Sequence, residues 1–392
     1  MPDLHTFLTD LAWPVAICLA WLAGEFGQRI TGLPRISFYG VVGFLLAASQ
    51  VGVLPPAEPG PILLLADVGF GLILFELGYR INLRWLRTNP WLGVASLAEA
   101  TATFVAIFLV ARLFGTSTMT ALMLGALSMS TSPATIIGVI NEKRSSGQVT
   151  ERVLHLSALN CVMSVFTFNI IIGFWIFKSS DDIGDATLNS MVAVLLSALL
   201  GAVFGVLVPA VLRYLSNLSK DATAGFALAI ILLVSLAYAT QLSPVVAALT
   251  FGLTARHRRM VFSQAQRNFG ALGELLTVLL FVFAASTLDW RTVTGGLGLA
   301  LAVSLVRLLT KTAGVTLFAK LSGISWRKGA LTGIALAPVA VFVILLLEHA
   351  RLRGVNLGEE LRAMAGVTLL LEVFGPMLIQ RALVWARETP EA

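Results

Sequence analysis

Thirteen apolar stretches, most of about 20 residues, follow one another along this chain with short polar links between them. They centre on residues 9–28, 37–54, 61–79, 91–111, 119–140, 153–177, 188–212, 222–240, 243–255, 271–288, 293–319, 328–347 and 361–384. A spanning helix needs about 20 such residues, because the hydrocarbon core of a bilayer is ~30 Å thick and a helix rises ~1.5 Å per residue. Only 12% of the 392 residues are charged, against roughly 25% in a soluble domain. The pattern predicts an all-α integral membrane protein of about 13 spans, with little chain left for a soluble domain.

The same feature excludes other classes. The net charge of +6 invites a nucleic-acid reading, but basic loops on the cytoplasmic side of a membrane explain it better. The two cysteines, Cys18 and Cys161, lie in apolar runs. They suggest neither a disulfide framework nor a metal site, and no cofactor motif accompanies them. No nucleophile, general base and stabiliser can be brought together from this chain, so an enzyme is not expected.

Charge sets the orientation. With the N-terminus outside, the inner loops hold 19 Lys and Arg residues and the outer loops 6, while Arg307 and Lys311 fall within the eleventh span. That bias predicts N-outside, C-cytoplasmic in a bacterial-type inner membrane. Thirteen spans divide as six, one and six. The expected units are a first inverted repeat over 1–180, a linker helix over 181–218 and a second repeat over 219–392. The fifth span carries "SMSTSPATII" and the twelfth "GIALAPVAVF", each with a proline near its middle, Pro133 and Pro338. A proline removes a backbone donor and frees a carbonyl. Broken helices at matching positions of two inverted repeats are the best sequence pointer to a transporter's site.

Four segments resemble a known family, the monovalent cation:proton antiporter superfamily with the sodium/hydrogen exchanger fold. They are "LADVGFGLILFELGYRINLRWLR", "LGALSMSTSPATIIGVINEK", "VLHLSALNCVMSVF" and "VRLLTKTAGVTLFAKLSGISWRKGALTGIALAPVAVFVI". Their order and spacing carry the match, from about residue 37 to residue 347. The resemblance implies an elevator-type secondary transporter, usually a homodimer in the lipid bilayer, that exchanges a monovalent cation such as Na+ or K+ for protons.

The chain departs from the family at Asn160-Cys161. The family pattern there is Asn-Asp or Asp-Asp, and the second residue supplies the carboxylate for which cation and proton compete. Asn160 matches the first position, and Cys161 replaces the aspartate. A thiol is a soft ligand and a poor one for an alkali cation, so Cys161 reads either as a small buried hydrophobe or as part of a rebuilt site. Thr131 and Ser132, in the first proline-broken segment, offer hydroxyl oxygens to a partly dehydrated cation or bond back to their own helix.

Acids inside spans are functional candidates by default, since each costs on the order of 3 kcal/mol unless paired. Here they are Asp67, Glu76, Glu99, Glu274 and Glu372. Glu372 is the expected stand-in for the missing aspartate, because its span is the repeat mate of the one carrying Asn160. Glu76 and Glu99 read as braces of the helix bundle, secondary to it. Lys311 matches the family's membrane-embedded base, with Arg307 one turn earlier as the alternate match. Three fates stay open for Lys311: pairing with Glu372, carrying the proton, or reaching to the inner surface. His155 lies at the predicted inner mouth, where it reads as a pH sensor or as an interfacial histidine. The site expected from the sequence is therefore Asn160, Cys161, Thr131, Ser132, Lys311 and Glu372, with Arg307, Glu76 and Glu99 behind them. The alternative to coupled exchange is a divergent member that provides an uncoupled pathway, moves an anion or other solute, or acts as a membrane sensor.

Overall fold

A computed structural model describes residues 4–55, 61–173, 183–214, 222–257, 265–291, 296–352 and 358–390. Among these residues there are sixteen helices and no strand. In chain order they are α1 (Leu4–Thr31), α2 (Arg35–Leu46), α3 (Pro61–Arg80), α4 (Leu83–Thr88), α5 (Pro90–Leu113), α6 (Thr118–Met129), α7 (Pro133–Lys143) and α8 (Gln148–Ile171). There follow α9 (Ile183–Tyr214), α10 (Ala222–Ala239), α11 (Pro244–His257), α12 (Ala265–Ser286), α13 (Leu297–Leu317), α14 (Trp326–Ala335), α15 (Phe342–Leu352) and α16 (Gly358–Trp385). Among the described residues, six stretches are long and apolar enough to cross a bilayer by length and composition: Pro90–Leu113, Thr118–Lys143, Gln148–Ile171, Gly184–Tyr214, Leu297–Leu317 and Gly366–Trp385. The predicted unit boundaries at 180/181 and 218/219 lie outside the described residues.

Local sequence sets the ends that matter. Pro90 and Pro133 sit in the first turns of α5 and α7, where a missing N–H costs nothing. Ser132 is held extended by the proline that follows it, and its hydroxyl caps α7 by accepting from Thr135 N at 3.3 Å. Ser325 caps α14 in the same way through Lys328 N at 3.2 Å.

The helices pack as two bundles. One joins α1, α2, α3, α9, α10, α11 and α12. Its helices approach closely at glycines: a Cβ at Gly78 would collide with the carbonyl of Leu249, and one at Gly252 with that of Phe75. The other joins α5 through α8 with α13 through α16. The bundles meet along α2–α16, α3–α7 and α8–α9. Between them lies a cavity of about 980 Å³ lined by Arg35 and Tyr39 of α2, Glu76 and Arg80 of α3, and Ala134 and Glu142 of α7, among others.

Candidate functional site: two broken helices cross over a buried lysine–glutamate pair

The chain leaves helical geometry between α6 and α7, at Ser130–Ser132, and again between α14 and α15, at Leu336–Val341. The two extended pieces touch in the middle of the second bundle. Ser132 N donates to Pro338 O at 3.1 Å, and Thr131 Oγ1 donates to Leu336 O at 3.3 Å. Ser130, Thr131 and Ser132 are completely buried. Each break leaves carbonyls of the preceding helix without the amides that would have followed. Such carbonyls also form the negative end of the helix dipole.

Two cations from α13, one turn apart, meet these carbonyls. Arg307 lays its guanidinium across both breaks. Nε donates to Ala337 O at 2.9 Å, Nη1 to Ser128 O at 2.6 Å, and Nη2 to Ser130 O, Pro338 O and Leu336 O at 2.6, 2.8 and 3.2 Å. Only a planar fork of donors reaches five acceptors in this way. Lys311 Nζ donates to Met129 O at 3.1 Å and to both oxygens of Glu99, at 3.0 and 3.2 Å. Both partners of that ion pair are fully buried.

Glu99 is the carboxylate of this crossing. It comes from α5, whose face here is polar: Ser96, Glu99 and Thr103 follow at helical spacing and all are buried. Gly314 of α13 admits it, since a Cβ there would stand 2.5 Å from Glu99 Cβ. Asn160 Nδ2 donates to Glu99 Oε1 at 2.5 Å and to Thr131 Oγ1 at 3.2 Å, while its Oδ1 accepts from Ser96 Oγ at 3.1 Å. Cys161 Sγ and Ser157 Oγ both point to Thr131 O, at 3.3 and 3.2 Å. The thiol therefore donates to a carbonyl and contributes no charge. Among the described residues, one carboxylate, one ammonium and one guanidinium are the charged groups at the crossing.

The sequence profile described as "Sodium/hydrogen exchanger, transmembrane" matches residues 15–385, nearly the whole chain. The chain belongs to the sodium/hydrogen exchanger family. Among solved structures it is similar to the sodium proton antiporter MjNhaP1 from Methanocaldococcus jannaschii at pH 8, with a TM-score of 0.66, 15% identity and coverage of 98% of both chains. A three-dimensional electron-microscopy map of MjNhaP1 gives the same TM-score of 0.66 at 16% identity, with 98% of this chain and 97% of that one covered. At these identities the likeness is one of fold. No curated protein matches in sequence.

Within this exchanger fold the residues expected from the sequence separate into three places. Asn160, Cys161, Thr131, Lys311 and Arg307 gather at the crossing, and Glu99 joins them. Ser132 is there too, but its hydroxyl is engaged with Thr135 as a helix cap, by Oγ–Oγ1 at 2.9 Å as well as by the backbone. Glu372 is not at the crossing's ion pair. It lies on α16 against Gly40 of α2, and Lys311 pairs with Glu99 instead. The expectation fails because it aligned Glu372 with Asn160 by repeat position, whereas the face of α16 bearing Glu372 turns toward the other bundle. Surface-seeking by Lys311 is also ruled out, since its side chain is fully buried.

Glu76 lies at the cavity, where Arg80 Nη2 bridges it to Asn141 Oδ1 with both contacts at 2.6 Å. Asp67 accepts from Tyr238 OH at 2.8 Å. The Glu274 side chain lies outside the described residues. His155 is buried in the protein. Its Nε2 accepts from Asn82 N at 3.0 Å, so its Nδ1, at 2.7 Å from Glu151 O, carries the proton of a neutral ring. A ring so held on both nitrogens is a structural link between α8 and the start of α4.

The residue that sequence reasoning undervalued is Glu99. Its signal was the stripe Ser96, Glu99, Thr103 inside a run that is otherwise apolar, a polar face at membrane depth that must meet a polar partner.

Proposed function

We propose that this chain exchanges a monovalent cation, Na+ or K+, for a proton, and that Glu99 takes the part of the missing aspartate. One observation carries the proposal: the Lys311 ammonium occupies Glu99 at the point where two broken helices cross. A hard alkali cation seeks oxygen ligands. Around Glu99 these are its own carboxylate, Thr131 Oγ1, the Met129 carbonyl and the Asn160 amide oxygen once that amide turns over. The ammonium already satisfies the carboxylate, so cation and Lys311 compete for it. Binding of the cation displaces Lys311, which leaves its charge behind as a released proton. Loss of the cation restores the ion pair and takes a proton up.

The charge count then fixes a ratio. Before binding, Glu99 and Lys311 cancel. After binding, Glu99 and the cation cancel, and Lys311 is neutral. One cation replaces one proton, and the exchange is electroneutral. A site with two carboxylates would not be bound by this count.

Access follows from the two bundles. The reading is of thirteen spans in two inverted repeats about a linker helix, N-terminus outside and C-terminus cytoplasmic, working as a homodimer. The bundle of α5–α8 and α13–α16 carries the crossing past the other bundle in an elevator motion. The 980 Å³ cavity is then the cytoplasmic approach. It reaches Ala134, two residues past Ser132, while Glu99, Lys311, Asn160 and Thr131 remain fully buried. Passage of an anion is less well supported. Arg307, the cation not balanced by Glu99, is wrapped in five carbonyls and has little donor capacity left for a solute.

The test is cation-driven proton movement in proteoliposomes with Na+, K+ and Li+ across pH, at zero and at imposed membrane potential. The proposal expects proton flux that ignores the potential and that Lys311→Ala and Glu99→Gln abolish. Absence of exchange with every cation would refute it and direct attention to other solutes or to a sensing role.

A further inference from the structure

We propose that Glu372 is a second proton-binding site, separate from the crossing and set in the seam where α16 packs on α2. The proposal rests on the reading of the chain as a proton-coupled exchanger whose bundles move past one another. Glu372 is 4% exposed, and neither carboxyl oxygen has a hydrogen-bond partner among the described residues. Its carboxyl lies over α2 at a glycine: a Cβ at Gly40 would stand 3.3 Å from Oε2 and 3.7 Å from the carboxyl carbon. One turn earlier on the same face of α16, Thr368 is 1% exposed and its hydroxyl is likewise without a partner among the described residues. One residue on, Val373 O accepts from Ser37 Oγ of α2 at 3.0 Å, which keys the two helices together. Gly375, three residues beyond Glu372, packs on Pro338 of the second break. Glu372 thus lies about one helical turn along α16 from the contact with the second break.

Among the described residues, the charged groups on the helices packed against α16 have other partners or lie at helix ends. On α2, Arg35 pairs with Glu25 at 3.1 Å and Gln28 at 2.6 Å, and Tyr39 is buried beside Gly40. On α13, Arg307 and Lys311 are engaged at the crossing. On α14, Arg327 donates to Trp385 O at 2.9 Å, and Lys328 stands 3.6 Å from Glu388. On α7, Glu142 accepts from Gln28 at 2.7 Å, and Lys143 is at the helix's last turn. Glu348, His349 and Arg351 of α15 have side chains outside the described residues. On α16 itself, Arg381 lies more than two turns on, and Glu359, Glu360 and Arg362 also have side chains outside the described residues.

A seam of this kind suits the neutral acid. Among the described residues a carboxylate there would have neither donor nor counter-charge, a bare charge at membrane depth. The packed arrangement of α2 against α16 therefore goes with the proton in place on Glu372. Loss of the proton requires α16 to shift along α2 until water or a donor reaches the carboxylate. The proton comes from water and returns to it, with no other bond made or broken. Protonation of Glu372 then selects which position of the two bundles is stable, and pH acts on the motion as well as on the exchanged proton.

Glu372→Gln keeps the shape and fixes the neutral state. The expected result is retained exchange with the alkaline limb of the pH profile moved upward: one pH unit past the native midpoint, the variant runs about tenfold faster than the native protein. A profile that coincides with the native one overturns the proposal while leaving exchange at Glu99 intact. A second measurement does not depend on transport. The infrared carbonyl band of a protonated acid should vanish from the purified protein as pH rises and should be missing in Glu372→Gln. A native spectrum without that band refutes the proton site. Should the native protein move no cation, the exchange reading falls and the infrared band alone decides for or against Glu372.

Discussion

Glu99 and Lys311 make the sharpest prediction, because their pairing is complete and fully enclosed. Glu99→Gln removes the charge but keeps the size. It leaves a fully buried ammonium without a counter-charge, with the Met129 carbonyl at 3.1 Å and at most a neutral amide oxygen to accept from it. Removing one partner of a buried pair costs about 3–5 kcal/mol, and Lys311→Met, which strands the carboxylate, should cost a similar amount. The double variant replaces the pair by neutral groups of like volume and should lie near the native stability, since such replacements are often neutral. The coupling energy of the cycle is then about 6–10 kcal/mol, readable from thermal or denaturant unfolding of the purified protein in detergent. Transport behaves differently. All three variants should lose cation/proton exchange by at least about 100-fold, or roughly 2.8 kcal/mol at 1.4 per decade, because the double variant recovers packing without recovering a carboxylate. Stability recovered while transport stays lost separates the pair's two roles. Additive stability effects would show that the pair is not formed, and native exchange by Glu99→Gln would show that another group carries the cation.

Three further expectations follow from the crossing. Cys161→Asp puts a second carboxylate beside Thr131 O and should strengthen cation-dependent exchange and make it respond to an imposed membrane potential; unchanged, potential-independent flux would count against the one-carboxylate argument. Arg307→Lys reduces a five-acceptor fork to at most three donors, and at about 1.5 kcal/mol per charge-assisted bond should cost about 3 kcal/mol in unfolding free energy. Gly314→Ala forces a methyl to within 2.5 Å of Glu99 Cβ, and should cost about 1–3 kcal/mol and lower cation affinity. Native cation affinity in that variant would mean that α5 and α13 can separate without disturbing the pair.

Much of this protein was legible in its sequence, and the part that was not has a physical reason. The apolar runs located helices, since burial in lipid leaves the backbone almost no other way to satisfy itself. Pro133 and Pro338 located the two breaks. Asn160, Cys161, Thr131, Lys311 and Arg307 were placed together by motif, and they do meet. The partner of Lys311 was not legible from repeat symmetry, because symmetry relates backbones and says nothing of which way a side chain turns. Glu372 and Glu99 are both single acids in apolar helices. What separates them is their company on the helix face: Ser96 and Thr103 flank Glu99 at helical spacing, and the carboxylate they frame faces the crossing, whereas Glu372 has only Thr368 beside it and faces the seam.

That difference bears on how a carboxylate comes to stand at the crossing when position 161 is a cysteine. At the crossing, the ends of α6 and α14 present carbonyls, and the bundle answers them with two cations from α13. Those cations were never optional, since bare carbonyls at membrane depth are costly. Arg307 is met by carbonyls alone, and Lys311 by one carboxylate. That carboxylate comes from α5, whose backbone passes close enough to α13 for a glycine, Gly314, to be required. On the proposed reading, Glu99 serves the stability of the crossing and its chemistry by the same contact. For this reason a variant that keeps the charge but shortens the reach is informative. Glu99→Asp should hold Lys311 less well and bind the cation less well together, and a change in one without the other would show that the ion pair and the ion site are distinct.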